Sequence, residues 1–153
     1  MKLGIAKFTC GKCGNIFEAP QLSPEVYGDF LLRSENNFLA FVDAIEDQTF
    51  EEADSLVNAN PHRRRLSEIE RAKILHKIFG ELTCDPDPKG AAFVIGMPPT
   101  CPACGAQEIA AWDFKDPPES VDVEVPSVTH TRWNSLTPEE KKAEAERLIA
   151  TSL

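Results

Sequence analysis

Two cysteine pairs of identical spacing dominate what this chain can fold into: Cys10 and Cys13 in FTCGKCGNIF, and Cys101 and Cys104 in CPACG. Each pair is Cys-x2-Cys, and each is followed directly by a glycine, Gly14 or Gly105. One pair supplies two thiolates, whereas a stable thiolate metal site takes four. A tight turn over each pair places both sulfurs on one side. The trailing glycine allows the positive φ of such a turn, and its backbone N–H groups can donate to the sulfurs. The fold must therefore bring residue 10 to residue 101, although 87 residues, positions 14 to 100, separate the inner cysteines.

Cysteine usage and compartment support a metal over disulfides. The chain holds five cysteines, an odd number. MKLGIAKF leads straight into the first pair without the apolar region of a signal peptide, and no apolar stretch approaches the roughly 18 residues of a membrane span. A cytoplasmic protein without a membrane segment is expected, and in a reducing compartment paired cysteines bind metal. Cys84, in LTCDPDPKG, lies outside both pairs and reads as a free, partly buried thiol rather than a ligand or nucleophile. With 153 residues, the chain is long enough to bury a core and is expected to form a single domain over 1–153.

Residue patterns place further elements around the pairs. Short strands at 2–9 and 14–19 flank the first pair, and strands at 91–96 and 107–114 flank the second, giving knuckle hairpins at 2–19 and 91–114. Between them, 21–90 reads as a helical insertion. In NNFLAFVDAIED the apolar Phe38, Phe41, Val42 and Ile45 share one helical face. TFEEADSLV opens with a capping box of Thr49 and Glu52, and a third helix opens at Ser67 with Glu70, with Gly80 as an early stop. A C-terminal strand and helix occupy 119–153: VDVEV alternates, and Thr137-Pro138 with Glu140 starts a charged helix. Its narrow strip of Ala145, Leu148 and Ile149 implies light docking at the periphery. Trp112 is expected to cover the knuckle sheet and Trp133 to anchor the last helix.

The residues FTCGKCGNIF and CPACG resemble the zinc-ribbon and rubredoxin-like group, in which two such knuckles are carried on β-hairpins. The resemblance covers the hairpins alone and implies an α+β fold: a split zinc ribbon with a helical insertion and a C-terminal strand and helix. The chain departs from the group in spacing, since a compact ribbon separates its pairs by roughly 15–20 residues. The metal would then clamp the ends of the insertion. CPACG also resembles the second knuckle of rubredoxins, where iron carries one electron. Zinc is favoured over iron here, because the compact aromatic body that protects such an iron centre is missing.

Four cysteine ligands leave no open position for water or substrate, so the site reads as structural and the protein as non-catalytic. His62, His76 and His130 are dispersed, and no phosphate-loop, nucleophile-elbow or zinc-protease motif occurs. The formal net charge of -9 argues against a general nucleic-acid binder. Residues 21–60 hold nine acidic side chains against Arg33 alone. Glu46, Asp47, Glu51 and Glu52 are therefore candidate contacts to a basic protein partner, as in an adaptor or inhibitor. Arg63, Arg64 and Arg65 form the one basic cluster, expected to pair with the acidic helices around 43–54. The alternative is that these arginines join the ribbon in binding nucleic acid; an iron electron carrier comes third.

Overall fold

The computed structural model describes residues 1–23, 27–61 and 65–153. Its first strand organises half of the molecule. β1 (Lys2–Cys10) pairs antiparallel with β2 (Ile16–Gln21) across the first cysteine turn, with Phe8 opposite Phe17 and Ala6 opposite Ala19. β3 (Asp29–Arg33), β4 (Leu39–Asp43), α1 (Gln48–Asn58), α2 (Glu68–Thr83) and β5 (Val94–Ile95) follow. The chain then returns through β6 (Ile109–Phe114) and β7 (Ser120–Asp122), both of which pair antiparallel with the free edge of β1. α3 (Thr131–Asn134) and α4 (Pro138–Ser152) complete it. The architecture is α+β, a split ribbon interrupted by an insertion and followed by a C-terminal strand and helix.

Two sheets result. The ribbon sheet has the order β2-β1-β6, with β7 further along the same edge of β1, and the second sheet has the order β4-β3-β5. The second knuckle thus contributes its strands to different partners. Of the strand expected at 91–96 only Val94–Ile95 forms, and it joins β3, while β6 joins β1. The two knuckles are held side by side because β6, leaving the second, lies directly on β1, leading into the first.

The helix expected from Asn36 to Asp47 is not formed; that stretch is the turn and second strand of a hairpin. Phe30 faces Val42, and Leu32 faces Ala40. The apolar residues lie at helical spacing, but Ile45, on the supposed buried face, is 64% exposed, whereas Ala40 and Val42 alternate into the core. FLLR and FLAFV flank the polar turn SENN, in which Asn37 takes φ 63°, so cross-strand pairing overrides the local helical period. The insertion holds α1 and α2 as expected and this hairpin in addition.

Helix starts follow the cap chemistry, with one shift. Ser67 and Glu70 form the expected capping box on α2, at 3.1 and 3.2 Å, and Thr137 and Glu140 do the same on α4. α1 starts earlier than the Thr49/Glu52 box implied. Asp47 is its cap, one carboxylate oxygen accepting from the Thr49 and Phe50 N–H groups at 2.8 and 3.4 Å. The other oxygen meets His130 Nε2 at 2.9 Å, while His130 Nδ1 meets the Thr83 carbonyl at 2.8 Å. That imidazole therefore joins the start of α1 to the end of α2.

The main core lies between the second sheet and the helices, built from Leu32, Val42, Val57, Phe79, Leu82 and Trp133 among others. α4 is not peripheral: Ala145, Leu148 and Ile149 are buried in this core. The narrow strip suffices because Trp133, fully buried, fills the space beside it. Trp133 Nε1 donates to Glu52 at 2.9 Å, and the Lys141 ammonium sits 5.1 Å from the ring centroid. Trp133 thus anchors the C-terminal region as expected. Buried Arg33 bridges the sheets, donating to the carbonyls of Pro20 at 2.8 Å and Met97 at 3.0 Å. Desolvation lowers its pKa to about 10.

Gly80 does not end α2. The helix runs through it to Thr83, and a Cβ there would lie 1.7 Å from the Phe93 carbonyl oxygen. Helix propensity alone would make Gly80→Ala stabilising by about 1 kcal/mol. The backbone clash reverses that sign, and the substitution is expected to destabilise by about 1–3 kcal/mol, measured by urea unfolding. A stabilised variant would refute the close approach.

Asp87, also buried, ties the strand hairpin to the chain after α2. Burial opposes its ionisation, but hydrogen bonds from Ser34, the Ala91 N–H, Asn36 and the Lys89 N–H outweigh it and hold the pKa at about 2, against 3.8 when free. The folded value is depressed, so this contribution is complete above the free value and is lost as pH falls towards 2. The melting temperature of the wild type should fall more steeply between pH 5 and pH 2 than that of Asp87→Asn. Parallel curves would contradict this.

Candidate metal centre

The two knuckles have the same backbone construction. The Cys10 N–H donates to the Asn15 carbonyl at 2.8 Å, and the Gly14 N–H donates back to the Cys10 carbonyl at 3.0 Å. In the second knuckle Cys101 donates to Ala106 at 2.8 Å, and Gly105 to Cys101 at 2.9 Å. Gly14 and Gly105 take φ 76° and 77°, the left-handed conformation that closes each turn. Identical local bonding at residues 10–15 and 101–106 follows from the shared Cys-x2-Cys-Gly pattern.

Sheet pairing then sets the knuckles face to face. Cys10 is the last residue of β1 and pairs with Ile109, after a register shift between Thr9 and Cys10 that bends the strand end. The Gly11 N–H donates to the Glu108 carbonyl at 2.7 Å, and a Cβ on Gly11 would meet the Glu108 side chain at 2.8 Å, so the first knuckle lies tightly on the approach to β6. From the other side, the turn between β3 and β4 braces the second knuckle. Thr100 N–H donates to Asn37 Oδ1 at 2.9 Å, and Thr100 Oγ1 donates to the Glu35 carbonyl at 3.0 Å.

All four sulfurs lie within 4.8 Å of one another. Cys10 and Cys104 sulfurs are 3.6 Å apart, and Cys13 and Cys101 sulfurs 3.7 Å. A tetrahedral site with metal–sulfur bonds near 2.3 Å has sulfur–sulfur edges of about 3.8 Å. The closest contacts match that edge and are far too long for disulfides, and none of the five cysteines is in a disulfide. Each close contact joins one knuckle to the other. Cys10 and Cys101 are buried, and Cys13 and Cys104 are exposed, so the cluster is half covered.

The protein stabilises negative sulfur on the buried pair. Cys10 Sγ accepts from the Cys13 and Lys12 N–H groups at 3.5 and 3.4 Å, which lowers its pKa. At Cys101 burial opposes ionisation, but the Cys104 and Ala103 N–H groups, with contacts from Cys13 and Asn15, bring the pKa down to about 6. At Cys13 the Asn15 N–H favours the thiolate. Desolvation and the neighbouring sulfurs outweigh it and push the pKa to about 11. Not all four thiolates are tolerated without a cation among them, so the donor set calls for a metal ion.

These are the four cysteines singled out by their spacing. Cys84 is not one of the cluster: it caps the end of α2, buried, and desolvation pushes its thiol to about 12. Asn15 was not anticipated; its Nδ2 donates to Cys101 Sγ at 3.8 Å and so crosses between the knuckles. Position 106, its counterpart in the second knuckle, is alanine, and comparing the two knuckles is the signal that distinguishes Asn15. Trp112 stacks on Phe8 at 5.7 Å, and Phe8 on Phe17 at 5.7 Å, an aromatic row across the ribbon sheet beside the cysteines.

The candidate partner residues divide. Asp47 and Glu52 are engaged in contacts of the fold, Asp47 by the α1 cap and His130, and the exposed Glu52 by Trp133 and Lys141. Glu46 and Glu51 are exposed, and their carboxylates have no partner among the described residues. Arg65 is exposed and forms no ion pair among the described residues, so the pairing expected with the acidic region is not seen there; Arg63 and Arg64 lie outside the described residues. No helix among the described residues is long and apolar enough to cross a membrane.

Protein purified without chelator is expected to carry one metal ion per chain by elemental analysis. Removing it, or introducing Cys101→Ser, should lower the melting temperature by about 10 °C or more. An unchanged melt after verified metal removal would show that the sheet pairing of β1 and β6 holds the knuckles unaided.

No family model, curated protein or solved structure matches this chain.

Proposed function

We propose that the protein is a cytoplasmic, single-domain, non-catalytic zinc protein that acts by binding another protein through an acidic surface. Zinc, held by Cys10, Cys13, Cys101 and Cys104, closes the ends of the insertion and keeps its surface in one arrangement. Four thiolates complete a tetrahedral shell and leave no position for substrate, which supports a structural metal. Zinc suits an all-thiolate tetrahedral site that has no need of redox chemistry. Iron accepts the same donors, and a coloured protein with thiolate-to-iron absorption would replace zinc by iron and favour electron transfer.

The observation that carries the binding reading is the state of the carboxylates around α1. Glu46, just before the α1 cap, and Glu51, in the first turn of α1, are exposed and form no ion pair among the described residues, in a chain of net charge -9. Unneutralised surface carboxylates speed encounter with a basic surface and discourage nucleic acid. An adaptor, or an inhibitor that masks a basic protein, needs no further chemistry.

The test separates surface from scaffold. Glu46→Lys with Glu51→Lys should leave metal content and melting unchanged while slowing association with the partner recovered from the native host by about ten-fold at low salt. Asp47 and Glu52 are unsuitable for the purpose, since altering either disturbs the fold. If this double variant binds like the wild type, while Arg63→Ala, Arg64→Ala and Arg65→Ala together abolish salt-sensitive binding to DNA or RNA, the nucleic-acid reading replaces this one.

A further inference from the structure

A groove of about 640 Å³ lies between the β3–β4 hairpin and the helices α1 and α2. Its floor is apolar and aromatic. Phe30 stacks on Phe50 at 5.9 Å and takes the edge of the His76 ring at 4.7 Å, with Leu75 beside them. On the rim, Ile45 is 64% exposed. It folds over Gly28, which has φ 82° and where a Cβ would lie 2.6 Å from the Ile45 side chain, so the backbone there is shaped to hold Ile45 in place. Tyr27 is also exposed at the groove, and Ile69 is exposed next to the groove residue Glu68. Large apolar side chains exposed together mark a contact surface more than scattered ones do.

Among the described residues, the charges that line the groove are predominantly negative. Asp29, Asp54 and Glu68 line it, and none forms an ion pair among the described residues. Against them stands Arg71, whose guanidinium donates to the Leu66 carbonyl at 3.1 Å. Burial lowers the pKa of His76, so the imidazole adds no positive charge at neutral pH. The carboxylates do not converge on one point: among the described residues only the four cysteines come close enough together to hold a metal ion. Separated carboxylates above an apolar floor match several cationic heads on one apolar segment, not a single compact cation.

We infer that this groove receives an amphipathic basic segment of a partner protein, its apolar side chains seated between Phe30, Ile45 and Leu75 and its lysines or arginines meeting Asp29, Asp54 and Glu68. The inference rests on the acidic-surface reading above and adds a second contact to it, since neither Glu46 nor Glu51 lines the groove. The partner's basic stems would lie along Ile45 and Tyr27 with their charged ends at the rim, as long cationic side chains do on apolar surfaces. The groove and the Glu46/Glu51 surface are separate contacts, so each can fail alone.

The test uses the metal-loaded full chain and a synthetic helical peptide of about 14 residues, with leucines at i, i+3, i+4 and i+7 and lysines elsewhere. A control peptide carries glutamate in place of lysine. Methyl NMR should show saturable shifts at Ile45 and Leu75 with the lysine peptide and none with the control. Fluorescence anisotropy should show affinity lowered about ten-fold by Asp54→Lys with Glu68→Lys, lowered similarly by Ile45→Asp, and unaffected by Glu46→Lys. Absence of binding, shifts elsewhere on the surface, or equal affinity in the groove variants would each overturn the inference. If the groove fails in this way while Glu46→Lys with Glu51→Lys still slows association with the native partner, the groove assignment alone falls. If neither set of substitutions affects the native partner, the acidic-surface reading falls with it.

Discussion

Four sulfurs cannot share so small a volume as thiolates without a cation between them, and the rest of this structure is arranged around that fact. Protons relieve the crowding in part: desolvation and the neighbouring sulfurs push Cys13 up, while backbone N–H donors hold Cys101 down. A divalent ion offsets half of the negative charge and draws sulfurs from both knuckles to one centre, as the close contacts between the knuckles allow. Because those knuckles lie at opposite ends of the insertion, one local electrostatic requirement becomes a constraint on the path of the whole chain.

The insertion is not a passive loop on this clamp. Its hairpin turn reaches back to brace Thr100 just before the second knuckle, and Arg33 ties β3 to both β2 and the arm at Met97. The C-terminal region closes on the same unit through Trp133, Glu52 and Lys141. Carboxylates that serve the fold and carboxylates that form no ion pair among the described residues therefore alternate along a few residues, with Asp47 and Glu52 in the first group and Glu46 and Glu51 in the second. The net acidity of the region overstates how much of it can meet a partner.

What was legible in the sequence was chemistry with a short range. The knuckles, both capping boxes on the later helices and the apolar strip of α4, though not its depth in the core, follow from residues within a few positions of one another. The β3–β4 hairpin was misread because Phe38, Phe41, Val42 and Ile45 satisfy a helical period, and only the pairing partner at Phe30 to Leu32, with the SENN turn between, decides otherwise. Gly80 misled in the opposite sense: it resembles a helix stop, but its smallness serves the passage of Phe93 across the helix. Asn15, and the separation of Asp47 from Glu46, depend on what stands opposite in space, which local pattern does not carry.

The pairing of β1 also has a temporal side. β1 and β2 are adjacent in sequence and can form a hairpin as soon as both have left the ribosome. The strands that cover the other edge of β1, β6 and β7, are made about 100 residues later, which at typical elongation rates is a delay of roughly 5–20 s. During that interval Phe8 lacks its stacking partner Trp112, and the open edge of β1 presents unpaired backbone groups and half of a metal site. The first knuckle is thus open to mispairing or premature metal capture during synthesis, and the insertion's core waits still longer, since Trp133, Leu148 and Ile149 are made after β6 and β7.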